Sequence, residues 1–350
     1  MTNINTSQSN PWKSNTNRAN EKAFASIRED GSVVAWGNAG FGGDLGSKAS
    51  LLDGSEGNKA VEIYEASRAF AALKEDGSVV TWGQSNFGGD SSSVADQLAG
   101  GDGNKVVQVA SAGSSFVALK EDGTAVGWGY EYDSNSYVIT TQNLDRDAGD
   151  SVGKVLSDSN LGIKKIFSNG HSYSALTSTG KVISWGSSNF NTQYGYSHNN
   201  GTSEYLQSGV VDIVSTGASF AALKDDGTVI AWGDEYGGRY KIYKKNWHKA
   251  PDQTEDLSDQ IGPGASEDLS PIVQIQANQG AYAALREDGS VVTWGTYNYG
   301  GNHKTDSDPS WNGETGAGNV AAPEGSLESG VSKLFSNSYS FAALKDDGTV

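Results

Sequence analysis

One motif recurs seven times along this 350-residue chain, and a recurring period limits the possible folds more than any other feature a sequence can carry. AFASIREDGSVVAWG at 23–37 returns as AFAALKEDGSVVTWG at 69–83 and SFVALKEDGTAVGWG at 115–129. Further copies are SYSALTSTGKVISWG from Ser172, SFAALKDDGTVIAWG from Ser219 and AYAALREDGSVVTWG from Ala281, with SFAALKDDGTV from Ser340 onward. The leading aromatics Phe24, Phe70, Phe116, Tyr173, Phe220, Tyr282 and Phe341 stand 46, 46, 57, 47, 62 and 59 residues apart. One unit is thus about 46 residues plus insertions of variable length.

Each copy predicts a β-hairpin. Short runs of Phe, Val, Ile and Trp flank Asp30-Gly31, Asp76-Gly77, Asp122-Gly123, Asp226-Gly227, Asp288-Gly289 and Asp347-Gly348, with Thr179-Gly180 as the degenerate copy. A two-residue Asp-Gly loop is the usual choice for a type I′ turn. In Phe70-Ala71-Ala72-Leu73 and Val79-Val80-Thr81-Trp82 both alternating faces are apolar, so these strands should be covered on two sides.

A further apolar pattern, such as Val61-Glu62-Ile63 or Val107-Gln108-Val109, precedes every hairpin but the first and predicts a third strand. The Gly-Gly-Asp segment after Trp-Gly is a candidate fourth. Four short strands in such a period make a propeller blade. The expected fold is therefore all-β, a seven-bladed β-propeller over 23–350, with an open β-solenoid as the alternative. Hairpins begin near 23, 69, 115, 172, 219, 281 and 340, and the last blade is incomplete, since a Trp twelve residues after Phe341 would fall beyond Val350. The expectation is a longer parent chain. Residues 1–22, rich in Asn and Ser, read as a polar strap or a disordered segment.

Composition narrows function. Subtracting 42 acidic from 25 basic residues leaves −17, which disfavours nucleic acid and anionic membranes as partners. No apolar run reaches the ~18 residues of a transmembrane helix, so membrane insertion is not expected. Absence of Cys, with a single Met, suits an oxidising exterior. An extracellular or cell-surface location is expected, with the cytoplasm as the alternative, although MTNINTSQSNPWKSNTN shows no apolar core of a signal peptide.

The cadence of apolar strand, small-Gly bend, aromatic-x-Ala-Leu, Asp-Gly and Val-x-x-Trp-Gly resembles the repeat of the regulator of chromosome condensation family. Asn169-Gly170-His171 in its bend is similar to that family's Gly-x-x-His signature, and Phe41-Gly42-Gly43-Asp44-Leu45-Gly46 to its Gly-x-Leu-Gly turn. The resemblance is closer to bacterial members, of the propeller-type β-lactamase inhibitory kind, than to the chromatin exchange factor. It implies seven blades and a binding role, and leaves exchange factor for a small GTPase or inhibitor of a secreted enzyme as alternatives.

Nothing in the chain assembles catalytic chemistry. Trp36, Trp82, Trp128, Trp185, Trp232 and Trp294 recur with the period and are expected to pack between blades. Repeated acids sit beside turns, and His171, His198, His248 and His303 show no ligand spacing. No nucleophile elbow, phosphate loop or dinucleotide fingerprint is present, so the chain is read as a non-enzyme without a cofactor or metal site. Calcium is the weaker alternative, because Gly100-Gly101-Asp102-Gly103-Asn104 and Asp53-Gly54-Ser55-Glu56-Gly57-Asn58 faintly resemble calcium-binding repeats, although turns explain them.

Loops carry the functional signal. Connections at 38–60, 84–105 and 187–209 are short, whereas 130–162, 234–271 and 296–330 are longer by about ten residues or more, and insertions are where function concentrates. Tyr130 and Tyr132 lie in the first long loop, Tyr240, Tyr243, Lys244, Lys245 and Trp247 in the second, and Tyr297, Tyr299 and Trp311 in the third. Aromatic and basic groups together suit a protein interface or sugar stacking. Equivalent connections of a propeller should emerge on one side, so these residues are expected to form one surface for a protein or glycan. Neutralisation of the chain's own acids is the competing explanation.

Overall fold

The structure is a computed structural model that describes residues 17–129, 156–186, 205–233, 241–243, 254–256, 261–262, 269–296, 299–300 and 327–350. Seven sheets follow one another, each built on an antiparallel copy of the repeat. Their first strands are Asn17–Ala19, Ala60–Ala66, Val106–Ala112, Ile163–Ser168, Val210–Ser215, Ile272–Ala277 and Val331–Ser336. Second strands are Ala23–Ile27, Ala69–Lys74, Ser115–Lys120, Ser172–Thr177, Ser219–Lys224, Ala281–Arg286 and Phe341–Lys345. Third strands, in blades 1 to 6, are Val33–Gly37, Val79–Gly83, Ala125–Gly129, Val182–Gly186, Val229–Gly233 and Val291–Thr296. Blades 1–4 belong to one compact unit and blades 5–7 to another.

Three sequence expectations change. Blade 1 does have a first strand: Arg18 pairs with Ala25 and Ala19 with Phe24. Asn-Arg-Ala carries none of the β-branched pattern that marks the other copies, so periodicity could not reveal it. The Gly-Gly-Asp segments are not fourth strands; Ala39–Phe41 and Ser85–Phe87 form single 3-10 turns ended by left-handed Gly42 and Gly88.

The hairpin loops are not two-residue type I′ turns either. Arg28 N donates to Ser32 O at 2.8 Å and Gly31 N to Arg28 O at 2.9 Å, which places Glu29 and Asp30 at the turn centre and Gly31, at φ 84°, after it. That is the three-residue loop with a left-handed bulge. The third residue requires glycine, whereas Asp closes the turn through its side chain. Asp30 Oδ1 accepts from Ser32 N at 2.8 Å and Ser32 Oγ at 2.6 Å.

Those bonds, the side-chain one first, hold the Asp30 carboxyl below its ordinary range. A depressed carboxyl stabilises the fold above the unfolded pKa near ~4 and stops doing so as pH falls through the lower folded value. Asp30→Ala is thus expected to lower the melting temperature at pH 7 and to leave less stability to lose between pH 4 and pH 2. Thermal melts across that window check it; an unchanged acid limb contradicts it.

Packing between blades explains the repeat's alternation. Ala69, Ala71 and Leu73 on one face of blade 2 join Phe116, Ala118, Val126 and Trp128 on the facing side of blade 3 in a single core. Ala23 and Ala25 of blade 1 receive Phe70 and Trp82 of blade 2 in the same way. Small residues on one face thus accept large ones from the next blade, and the aromatic pairs stack at 5.0 to 5.6 Å between ring centres. Burying such a pair, as in blades 2 to 6, contributes several kcal/mol, on the order of 1.5–3 per large side chain.

Polar links fix the spacing. Gly31 O accepts from Ala60 N, Gly77 O from Val106 N and Gly123 O from Ile163 N in blades 1–4, and Gly227 O from Ile272 N and Gly289 O from Val331 N in blades 5–7, so within each unit the hairpin loop holds the first strand of the following blade. Gln108 spans to Ile166 with both its amide groups, donating to the carbonyl at 2.6 Å and accepting from the N–H at 2.9 Å. Gln274 does the same at Leu334.

Where the repeat has Tyr in place of Phe, the preceding blade offers Ser in place of Ala. Tyr173 Oη lies 2.9 Å from Ser115 Oγ and donates to Ser115 O, and Tyr282 Oη lies 2.8 Å from Ser219 Oγ. Burial pushes both phenols well above their usual pKa. Tyr173→Phe strips these bonds from a sealed site and is expected to cost about 1–3 kcal/mol, read as a shift of the denaturant midpoint; a shift near zero would show that the hydroxyl is idle.

Candidate interaction surface at the bend end of the blades

Every blade has a bend joining its first and second strands and, at the opposite end, the Asp-Gly loop. The bend is capped from within the sequence. Asn20 Oδ1 accepts from the backbone of Lys22 and Ala23, and its amide donates to Phe41 O at 2.7 Å. Asn278 repeats this with Gly280, Ala281 and Tyr299 O. One side chain therefore ties the bend to the elbow that follows the third strand. Backbone bonds connect neighbouring bends, Ser67 N to Gly113 O at 2.8 Å and Gly217 N to Gln279 O at 2.9 Å.

On this frame one position changes freely. The residue two places before the leading aromatic of the second strand is Lys22, Arg68, Ser114, His171, Ala218, Gly280 or Tyr339, seven types in seven copies. The loop at the other end keeps Gly in all copies and Asp in six. A constant scaffold that varies at one end concentrates chemical diversity there, and periodicity alone conceals it because that position breaks the period.

Elbow aromatics fill the gaps between these variable residues. In the unit of blades 1–4, Lys22 Nζ lies 5.0 Å from the centre of the Phe41 ring, and the Arg68 guanidinium lies over Phe41 at 5.1 Å and over Phe87 at 4.6 Å. Glu21 Oε2 stands 3.5 Å from Arg68 Nε. In the unit of blades 5–7, Tyr299 stacks on Tyr339 at 5.7 Å. Its ring also covers Gly280, where a Cβ would sit 2.7 Å from Tyr299 Cδ2. Each unit thus presents a row of alternating elbow rings and bend side chains.

Of the surface residues expected from sequence, Tyr299 belongs to this row and Tyr339, 62% exposed, is its unforeseen neighbour. Tyr243 ends the short strand Lys241–Tyr243, whose backbone joins blade 6 in parallel, Tyr243 opposite Thr296, and pairs on its other side with Thr254–Asp256. That strand therefore points its chain toward the bend end. Tyr130, Tyr132, Tyr240, Lys244, Lys245, Trp247, Tyr297 and Trp311 lie outside the described residues.

The connections do not stay on one side. Gly42 meets Phe70 and Trp82 near the bend end, while Gly54 lies against Asp30 and Ser32 at the loop end, and Gly88 and Gly100 repeat this against Phe116 and Asp76, so the connections 38–60 and 84–105 run the length of their blades. Where an insertion sits within the connection decides which end it reaches.

Trp82, Trp128, Trp185 and Trp294 pack against the preceding blade. Trp82, Trp128, Trp185, Trp232 and Trp294 are buried, and the indoles of Trp82 and Trp128 donate to Gly42 O and Gly88 O. Trp36 differs, being 49% exposed beside an equally exposed Phe24. Among the described residues no group of three or more His, Cys, Asp or Glu could hold a metal ion, and no helix is long and apolar enough to cross a membrane. Asp53 Oδ1 is engaged by Ser55 N and Oγ within its turn.

No family model and no curated protein matches the sequence. Solved propeller structures are similar in fold. Prp20p from Saccharomyces cerevisiae, described with its binding to Gsp1p and histones, is 18% identical over 80% of this chain and 71% of its own, with a TM-score of 0.43. Human WBSCR16 is 16% identical over 80% and 76%, at 0.45. The CRINKLY WD40 ectodomain of the Arabidopsis thaliana receptor kinase ACR4 is 14% identical over 78% and 80%, at 0.36. Likenesses of this size carry no argument about function, which rests on the chain's own geometry.

Proposed function

We propose that the chain is a non-enzymatic recognition scaffold of the regulator-of-chromosome-condensation-like kind, which binds a protein partner through the bend ends of its blades. The observation that carries this reading is the position with seven residue types in seven copies, set on capped bends and interleaved with aromatic rings. A rigid frame limits the entropy lost on association, and aromatic and Arg side chains supply the anchors that interfaces use. The absence of Cys supports work outside the cell, and the resemblance to bacterial members supports a secreted or surface-attached bacterial protein.

A protein suits blades 1–3 better than a glycan does, because the Phe41 and Phe87 faces already carry cations. Tyr339, stacked on Tyr299 yet 62% exposed, favours sugar stacking as a second reading for blades 5–7. The test compares the parent with Phe87→Ser and with Tyr339→Ser in pull-downs and on a glycan array. Lost protein capture by Phe87→Ser, at a temperature well below its melting point, is expected; capture unaffected by either change removes the proposal.

A further inference from the structure

Arg68 is an unusual arginine for an acidic protein. Aromatic rings from two successive elbows flank its guanidinium plane, at 5.1 and 4.6 Å. Its Nε is buried without a hydrogen bond, 3.5 Å from Glu21 Oε2, yet the side chain as a whole remains 37% exposed. With two rings against the guanidinium and Nε buried, the terminal Nη groups are the part left to meet a partner. A guanidinium held flat by rings keeps them free for two parallel bonds to a carboxylate, and its side-chain entropy is spent in advance. Lys22, over the same Phe41 ring, supplies a second cation.

We infer that Arg68 is the anchor point for a carboxylate on an acidic segment of the protein partner, with Glu21 as an internal competitor for the same charge. This rests on the recognition reading above and names its partner's chemistry. Long-range charge selects among anions: a net −17 repels a polyanion, whereas a bidentate pair acts within contact distance, well inside the ~8 Å over which physiological salt screens. Isolated Asp or Glu side chains on a partner of modest charge therefore fit better than a sulfated glycan or a nucleic acid.

The full chain, labelled with nitrogen-15 at arginine, is titrated with a blocked Gly-Glu-Ser-Gly tetrapeptide, and separately with a heparin-derived hexasaccharide. A saturable shift of the Arg68 signal with the peptide is expected, and binding of the peptide measured by calorimetry is expected to be lost in Arg68→Gln and not restored by Arg68→Lys. Glu21→Gln removes the competitor and should tighten binding up to about fivefold, the equivalent of an exposed ion pair; a purely structural pair would lose stability and gain no affinity. No saturable shift, no gain in Glu21→Gln, or tighter binding of the hexasaccharide overturns the inference. If Arg68→Gln still captures the protein partner while Phe87→Ser does not, the carboxylate anchor fails and the recognition surface stands.

Discussion

Replacing Trp185 with Ala is expected to cost about 3–5 kcal/mol, a large share of the roughly 5–15 kcal/mol that holds a typical domain. The indole is fully buried, stacks on Tyr173 at 5.6 Å and shares a core with Ala110, Ala112, Val117 and Leu119 of blade 3. Its removal loses the transfer energy of the ring and leaves a cavity between two sheets joined by Ile163 N to Gly123 O and by Gln108 at Ile166, so collapse is limited. Trp36 is the internal control: same repeat position, same stacking on Phe24 at 5.5 Å, but half exposed. Trp36→Ala should cost less than half as much. Urea midpoints at constant slope compare the two; equal losses would show that the wedge between blades is not what the tryptophans provide.

Gly88→Val is the second large effect. Gly88 sits at φ 90°, which a β-branched residue adopts at a cost of ~1–2 kcal/mol or more, and a Cβ there would stand 2.6 Å from Phe116 Cδ2 and 2.8 Å from Cε2. Phe116 is fully buried and cannot retreat, so overpacking adds about 1–3 kcal/mol. The two costs sum to about 2–5 kcal/mol, with loss of the Trp128 bond to Gly88 O as a further symptom. Gly101→Val separates the two causes, since Gly101 has φ 84° and no neighbour within 4 Å. It should show the backbone cost alone, and a Gly88 variant no worse than the Gly101 variant would rule out the ring contact.

Much of this architecture is legible in the residues. Repetition of Asp-Gly and Trp-Gly at a near-constant period locates every hairpin, because turn chemistry and strand burial act on neighbouring residues. Features formed by distant residues are not legible. The first strand of blade 1 is held by its partners: Arg18 donates to Ile63 O at 2.7 Å and pairs with Glu65 at 2.9 Å, across a separation that no local pattern records. The turn class escapes the sequence because Asp-Gly fits two loop geometries, and only the bond from Arg28 N to Ser32 O decides between them. The site is visible in part: composition draws attention to the aromatic insertions, whereas Arg68 and Phe87 stand 19 residues apart in sequence and meet only because two elbows are stacked side by side.

Site-specific photo-crosslinking tests most directly whether binding belongs to the bend ends. A benzophenone amino acid placed at Phe87 or Tyr339, and in a third variant at Glu75 on the opposite, Asp-Gly end, is irradiated in the cells that make the protein. Adducts from Phe87 or Tyr339 and none from Glu75 are predicted. Adducts from Glu75 alone would contradict the account.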